Sequence, residues 1–238
     1  FGIPLNETDR LRVNLDFKQT EIKITPYSSD EVKGFITDNG SKFMVVPLSI
    51  GWSHDSRNRA IFTSSGGLHR FSALAPSPGL ALQYYKLSYR ALYYFPLADD
   101  LTLSLTGSLG YGDTYGSSKT FPFFENFFAG GVNSVRGFQD NTLGPRDSNN
   151  DPLGGKSKLV GSAEVYFPIP FMEDLDSMRL SAFIDAGNAY ATSVSLSGVK
   201  YSAGLAAEWL SPFGAITISY AIPFNRSEEH TSELQSHL

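Results

Sequence analysis

A period-two alternation of apolar and polar residues limits what this chain can fold into more than any other feature. Leu11, Val13, Leu15 and Phe17 interleave with Arg12, Asn14, Asp16 and Lys18. Val46, Leu48, Ile50 and Trp52 make a second apolar face, and 67–76 a weaker one through Phe71, Ala73 and Ala75. In 82–97, Tyr85, Leu87, Tyr89, Ala91, Tyr93 and Phe95 stand against Lys86, Ser88, Arg90 and Tyr94. In 100–112, Leu101, Leu103, Leu105, Leu109 and Tyr111 alternate with Ser and Thr. Segments 158–168, 177–189, 199–210 and 214–224 repeat the pattern. Alternation of this kind marks strands with two unlike faces. It yields nine candidate strands and no amphipathic helix. The longest apolar runs, such as Ala91 to Phe95, fall far short of the ~20 residues of a membrane-spanning helix.

Two all-β architectures fit such strands: a soluble sandwich with an aromatic core, or a transmembrane antiparallel barrel. Three features favour the barrel. Several strands exceed the usual length of about five or six residues in soluble sheets and suit a tilted membrane strand. Aromatic residues sit near strand ends (Trp52, Tyr84, Phe95, Tyr111, Phe167, Tyr190, Trp209, Phe224), where interfacial girdles belong. Tight connections at Leu97–Asp100 and Ser211–Gly214 contrast with long ones at Thr25–Ser41 and Asp113–Ser157, as periplasmic turns contrast with extracellular loops. The turn at 54–66 is longer than that rule prefers. In a barrel the inward face carries Lys86, Arg90, Glu164, Arg179, Asp185 and Glu208.

Composition narrows the functions. Only 18% of residues are charged and 13% are aromatic, which argues against disorder. A net charge of −5 gives no footprint for nucleic acid. Zero cysteines remove disulfides, thiol nucleophiles and Cys-based zinc sites. Residues 226–237 read RSEEHTSELQSH, with neither strand nor helix period. The string resembles a translated sequencing-library adapter, and 226–238 is set aside as a non-native tail. It holds His230 and His237, leaving His54 and His69 in unrelated segments and little support for a histidine-based metal or catalytic site.

Nine is an odd count, whereas bacterial single-chain barrels have even numbers. An open sheet would also leave two edges, which lipid does not tolerate. Residues 1–225 are therefore expected to be an incomplete barrel.

The connection 113–157 is far beyond normal loop lengths, and such loops are usually functional. Its centre contains FFENFFAGG, then Val135, Arg136, Gly137 and Phe138 (V-R-G-F), then DNTLGPR. Together with SAFIDAGNAY at 181–190 and YSAGLAAEWLSPFGAITISYAIPF at 201–224, this resembles the BamA family of outer-membrane protein assembly factors. That family belongs to the bacterial surface antigen, or outer-membrane translocase, superfamily. The resemblance covers 1–225. It implies about nine strands of an expected sixteen, without the periplasmic POTRA domains, the first six strands or the last strand.

A long loop folded into a lumen needs an anchor against its ordering entropy. Arginine suits this, because its rigid fork grips carboxylates bidentately and stays charged when buried. Gly137 allows a close backbone turn, and Phe138 can wedge against an apolar wall. Alternation turns Glu164 and Asp185 to the lumen. The resemblance implies that these two carboxylates receive the loop arginine, so Arg136 is expected to pair with both. The alternative is an arginine solvated at a loop tip.

The remaining features are plainer. Asp99-Asp100 reads as a solvated turn. DSNNDPLGG (147–155) lacks calcium-loop spacing and reads as a surface loop. Asn39-Gly40 reads as a tight turn. No catalytic constellation has a workable geometry, so the chain is expected not to be an enzyme and to need no cofactor or metal. The resemblance implies a bacterial outer-membrane insertase that folds and inserts unfolded outer-membrane proteins. Its partners would be those substrates, the lipid bilayer, and Bam lipoproteins docked on the N-terminal domains. The residues present would not insert substrates alone. A sister transporter for secretion or autotransporter assembly, and a passive porin or receptor barrel, remain open.

Overall fold

The computed structural model describes residues 1–79, 81–169 and 177–225, with the backbone of 234–237. The strands are β1 (Gly2–Pro4), β2 (Asp9–Leu15), β3 (Lys18–Glu21), β4 (Lys42–Val45), β5 (Pro47–Asp55), β6 (Gly66–Pro76) and β7 (Tyr84–Ala98). They continue with β8 (Leu101–Thr114), β9 (Ser157–Phe167), β10 (Met178–Tyr190), β11 (Lys200–Ser211), β12 (Gly214–Pro223) and β13 (Leu234–His237). One helix, α1, spans Asp30–Asn39. Eleven strands form one antiparallel meander in the order β1-β2-β5-β6-β7-β8-β9-β10-β11-β12-β13, and β3-β4 form a separate hairpin.

Side-chain placement rules out the sandwich. Across β7–β12 one face exposes large apolar residues and the other buries small polar ones. Leu87, Leu105, Leu109, Ile184, Leu205, Ile218 and Ile222 stand on the open face, whereas Ser104, Ser181, Ser202 and Ser219 are buried on the other. A protein folded in water does the reverse, and the other sheet among the described residues, β3-β4, packs on Phe35 and Tyr84 and not on this apolar face. This is the wall of a membrane barrel, apolar to lipid and polar to its lumen. Lys86, Arg90, Glu164, Arg179, Asp185 and Glu208 lie in the inward phase of their strands.

The strand register follows the alternation. β7 and β8 pair from Tyr84↔Thr114 to Ala98↔Leu101, with a bulge at Pro96/Ala98 and a two-residue turn at Asp99-Asp100. β11 and β12 close through an equally short turn before Gly214. On the opposite side of the sheet, residues 115–156 connect β8 to β9.

Several expectations need correction. The chain between β2 and β5 holds the β3-β4 hairpin and helix α1, not a plain loop. With ten residues and Phe35 as its buried side chain, α1 is too short to show a 3.6-residue period. Asp30 and Glu31 at its first turn favour the positive end of the helix. Asn39-Gly40 is the helix stop, not a hairpin turn. Gly40 adopts φ +86° and its N–H donates to the Ile36 carbonyl, a left-handed ending that Gly favours.

Two of the eight girdle aromatics do not face lipid. Tyr84 is buried in phase with Lys86, its ring 5.7 Å from Phe121, and Tyr190 is buried too. Residues 234–237 of the tail lie as β13 along Thr217–Tyr220 despite lacking a strand period. An edge strand offers unpaired backbone groups to any chain, so pairing there needs no side-chain pattern. Residues 226–233 and 238 lie outside the described residues.

Candidate functional site: an arginine-locked loop in the lumen

The 115–156 connection lacks long elements but is internally bonded. Isolated bridges pair Phe127 with Gly155, Ala129 with Leu143 and Arg146 with Pro152. Its tip closes where the Gly131 N–H donates to the Phe138 carbonyl and the Ser134 N–H to the Gly131 carbonyl. That closure drives Val135 and Phe138 into an apolar socket with Ala129, Leu143, Val160 of β9 and Ala189 of β10. Val135 is 0% exposed and Phe138 2%. Between them Gly137 adopts φ +84°, and a Cβ there would approach Ala221 of β12 to 3.1 Å. Only glycine combines that backbone conformation with so close an approach.

The apolar socket aims Arg136 at the wall. Its Nε donates to Asp185 Oδ2 at 2.7 Å and its Nη2 to Asp185 Oδ1 at 2.8 Å, a side-on fork. Its backbone N–H reaches the same Oδ2 at 3.0 Å. Nη1 donates to both Glu164 oxygens at 3.2 Å. The Ser162 hydroxyl accepts from Nη2 and donates to Asp185, and the Ser181 hydroxyl donates to Glu164. The guanidinium carbon sits 3.3 Å from the centre of the Phe183 ring. Cross-strand register explains the convergence: Asp185 opposes Ser162 and Phe183 opposes Glu164. The fork therefore straddles β9 and β10.

Asp185 is 0% exposed. Burial alone would push the Arg136 guanidinium toward losing its proton, but Asp185 and then Glu164 outweigh it and raise its pKa above the usual arginine value. One cation facing two carboxylates leaves the cluster with an excess negative charge. The sheath of hydroxyls and N–H donors offsets it.

Sequence reasoning missed several residues here. Ser162, Ser181 and Phe183 line the cluster. Each sits in the lumen phase, two or four residues along its own strand from Glu164 or Asp185, and that phase is a usable signal. A second arginine lock also emerges. Arg179 Nε donates to Glu208 at 2.7 Å, and its guanidinium stacks on Tyr166 at 3.7 Å and faces Phe62 at 4.7 Å. Phe62 belongs to the long 56–65 turn and holds φ 52°. That turn folds inward to Arg179, which accounts for its length. Lys86 donates to Glu125 at 3.0 Å and lies over Phe127 at 4.9 Å, fixing the loop's first half.

Helix α1 seats on the same loop. Phe35 meets Phe43, Phe123 and Phe124 at ring distances of 5.5, 5.6 and 5.9 Å. Ser148 accepts from the Asp30 N–H and donates its own N–H to Glu31. In 147–155 the Asp147 carboxylate accepts the Asn149 and Asp151 N–H groups, in the manner of a closed turn. His54 and His69, distant in sequence, are cross-strand partners with rings 6.2 Å apart on the outward face. His54 bonds Asp9 and His69 bonds the Tyr89 hydroxyl. Among the described residues no cluster of His, Asp and Glu is arranged to hold a metal.

The sequence profile of the Omp85 superfamily domain matches residues 1–237. The chain belongs to the Omp85 superfamily. It is 32% identical to the outer membrane protein assembly factor BamA of Neisseria meningitidis, over 96% of this chain and 33% of that protein. It is 32% identical to the mouse sorting and assembly machinery component 50 homolog, over 56% of this chain and 29% of that protein. A crystal structure of BamA from Haemophilus ducreyi lacking POTRA domains 1-3 superposes with a TM-score of 0.88 at 24% identity, covering 99% of this chain and 51% of that one. The chain thus spans about a third of the curated BamA it matches. These likenesses and the inverted wall make it a β-barrel chain of the bacterial outer membrane.

Proposed function

We propose that this chain is the lumen-lock part of an outer-membrane assembly barrel, a non-enzymatic machine that folds and inserts other outer-membrane proteins. The observation that carries this reading is the V-R-G-F tip held inside the lumen by Arg136 on Asp185 and Glu164. A loop of this length locked across the interior plugs the lumen and does not leave a water-filled channel. In the intact protein, incoming strands would add to an open sheet edge by main-chain pairing, and a short wall would thin the nearby bilayer. The partners are then unfolded outer-membrane proteins, the bilayer, and Bam lipoproteins on the N-terminal domains. The loop and its wall supply a rigid backing for that chemistry.

The test is replacement of Arg136 by Ala in the full-length protein, in cells depleted of the native copy. The expected result is a joint fall in the folded forms of several unrelated outer-membrane barrels. Loss of one secreted protein alone would instead indicate a dedicated secretion transporter. Normal levels of all of them would refute a working role for the lock.

A further inference from the structure

The lumen cations fall into two groups. Four on β7, β10 and the long loop are partnered: Arg136 with Asp185 and Glu164, Arg179 with Glu208, Lys86 with Glu125 and Lys156 with Asp113. A second group has no such partner. Arg10, Arg12, Arg70, Arg90 and Lys158 all point inward, and among the described residues no carboxylate lies within ion-pair distance of any of them. Asp55, which shares a cavity with Arg10, Arg12 and Arg70, is taken by both nitrogens of the Arg57 fork. Glu7, in the β1–β2 turn at the mouth of that cavity, forms no ion pair with them.

Register makes this arrangement a row. Arg10 opposes Ser53, Ser53 opposes Arg70, Arg70 opposes Arg90 and Arg90 opposes Ser108. Like charges directly opposite each other destabilise a sheet. A wall that carries Arg70 against Arg90, with small serines on either side, keeps an electrostatic cost that a bound anion would relieve. The serines leave room: a cavity of about 310 Å³ opens beside Arg12, Arg70 and Arg90, with Ser53, Ser72 and Ser88 in its walls. From β2 to β9 the row crosses five strand spacings, about 24 Å. That is far longer than a single phosphate or carboxylate, and it matches about seven residues of extended chain.

We infer that this arginine row is a binding groove for an acidic, extended polypeptide segment inside the lumen. Arginine forks suit carboxylates on alternate residues of such a chain. The row faces away from lipid, so an acidic lipid would have to withdraw its acyl chains from the bilayer to reach it, which each exposed CH₂ opposes. The arginines begin next to the β1–β2 and β5–β6 turns, on the short-turn side of the sheet, so the groove opens to the periplasm. This inference is independent of the assembly reading, since any chain entering from that side would meet the row.

The test uses the intact full-length protein in detergent micelles and a fluorescent nine-residue peptide with glutamate at alternate positions. Fluorescence anisotropy should show saturable binding that weakens steeply with salt. The glutamine version of the peptide should bind at least tenfold more weakly. The R10Q/R70Q/R90Q variant should lose at least tenfold, and R10K/R70K/R90K should keep most of the affinity, which separates charge loss from misfolding. Full competition by inorganic phosphate at equal concentration would mean a small-anion site, and preferential competition by a vesicle of anionic lipid would mean a lipid site. Either result overturns the inference, as does equal binding by the wild type and the glutamine variant. Carboxylates from the rest of the barrel found paired with these arginines in the full-length protein would overturn it as well.

Discussion

Arg136 Nε and Asp185 Oδ2 lie 2.7 Å apart, and the same oxygen receives the Arg136 backbone N–H at 3.0 Å. One buried carboxylate thus holds a loop residue by its side chain and its main chain together. This ties the conformation of the loop tip to the register of β10.

The fork matters more than the charge. Lysine at 136 would keep the cation but lose the side-on pair and the stack on Phe183. R136K is expected to cost ~2 kcal/mol of loop docking, from one charge-assisted hydrogen bond and the ring contact. F183L should cost ~1 kcal/mol through the ring contact alone. Protease cleavage within 131–143 of the folded barrel reads both, and R136K should be cut faster than F183L.

Gly137 has two reasons to be glycine. G137A should destabilise loop docking by ~1–3 kcal/mol, because φ is +84° and Ala221 is close. Adding A221G removes the Cβ contact but leaves the backbone carbonyl oxygen of that residue at 3.2 Å and the backbone strain, so it should restore only part of the loss. Full rescue by A221G, measured as thermal resistance of the loop to proteolysis, would show that the backbone conformation costs nothing.

The contact between α1 and the long loop should weaken in acid. The Ser148 N–H donates to Glu31 at 3.0 Å and holds its carboxyl below the usual 4.5. A carboxyl with a lowered pKa stabilises the fold above its unfolded value, and that support is lost as pH falls through the folded value. Hydrogen exchange at the Ser148 amide should therefore rise as pH falls from the usual 4.5 through the lowered folded value, after correction for intrinsic exchange. E31Q should flatten that dependence.

The inward fold of the 56–65 turn rests on Arg179. R179A removes the stack on Tyr166 and Phe62 and leaves Glu208 without its cation. Cysteines placed at Ala60 and Thr217 should report a longer and broader spin-label distance in R179A than in the parent. An unchanged distribution would show that the turn holds its place unaided.

Much of this was legible from alternation alone. Period-two phase places Leu105 and Leu109 toward lipid and Glu164 and Asp185 toward the lumen, because a strand turns successive side chains to opposite faces. Arg136 stands out because it lies beside glycine and aromatic residues at the centre of a long loop that needs a fixed point. Helix α1 was not legible, since ten residues with one buried side chain carry too little periodic signal. Tyr84 was read as a girdle residue because its type suits an interface, although its phase with Lys86 already turned it inward. The pairing of His54 with His69 and of Arg179 with Phe62 depends on strand order, which no local pattern encodes.

Arg136 and Asp185 act as one lock. A double-mutant cycle in the full-length protein tests it most directly, with R136Q, D185N and the pair compared by hydrogen exchange across 131–143. Each single change should raise exchange by a similar large factor and the double variant should be no worse than either, a coupling of at least ~2 kcal/mol. Additive effects, or protection unchanged in R136Q, would contradict it.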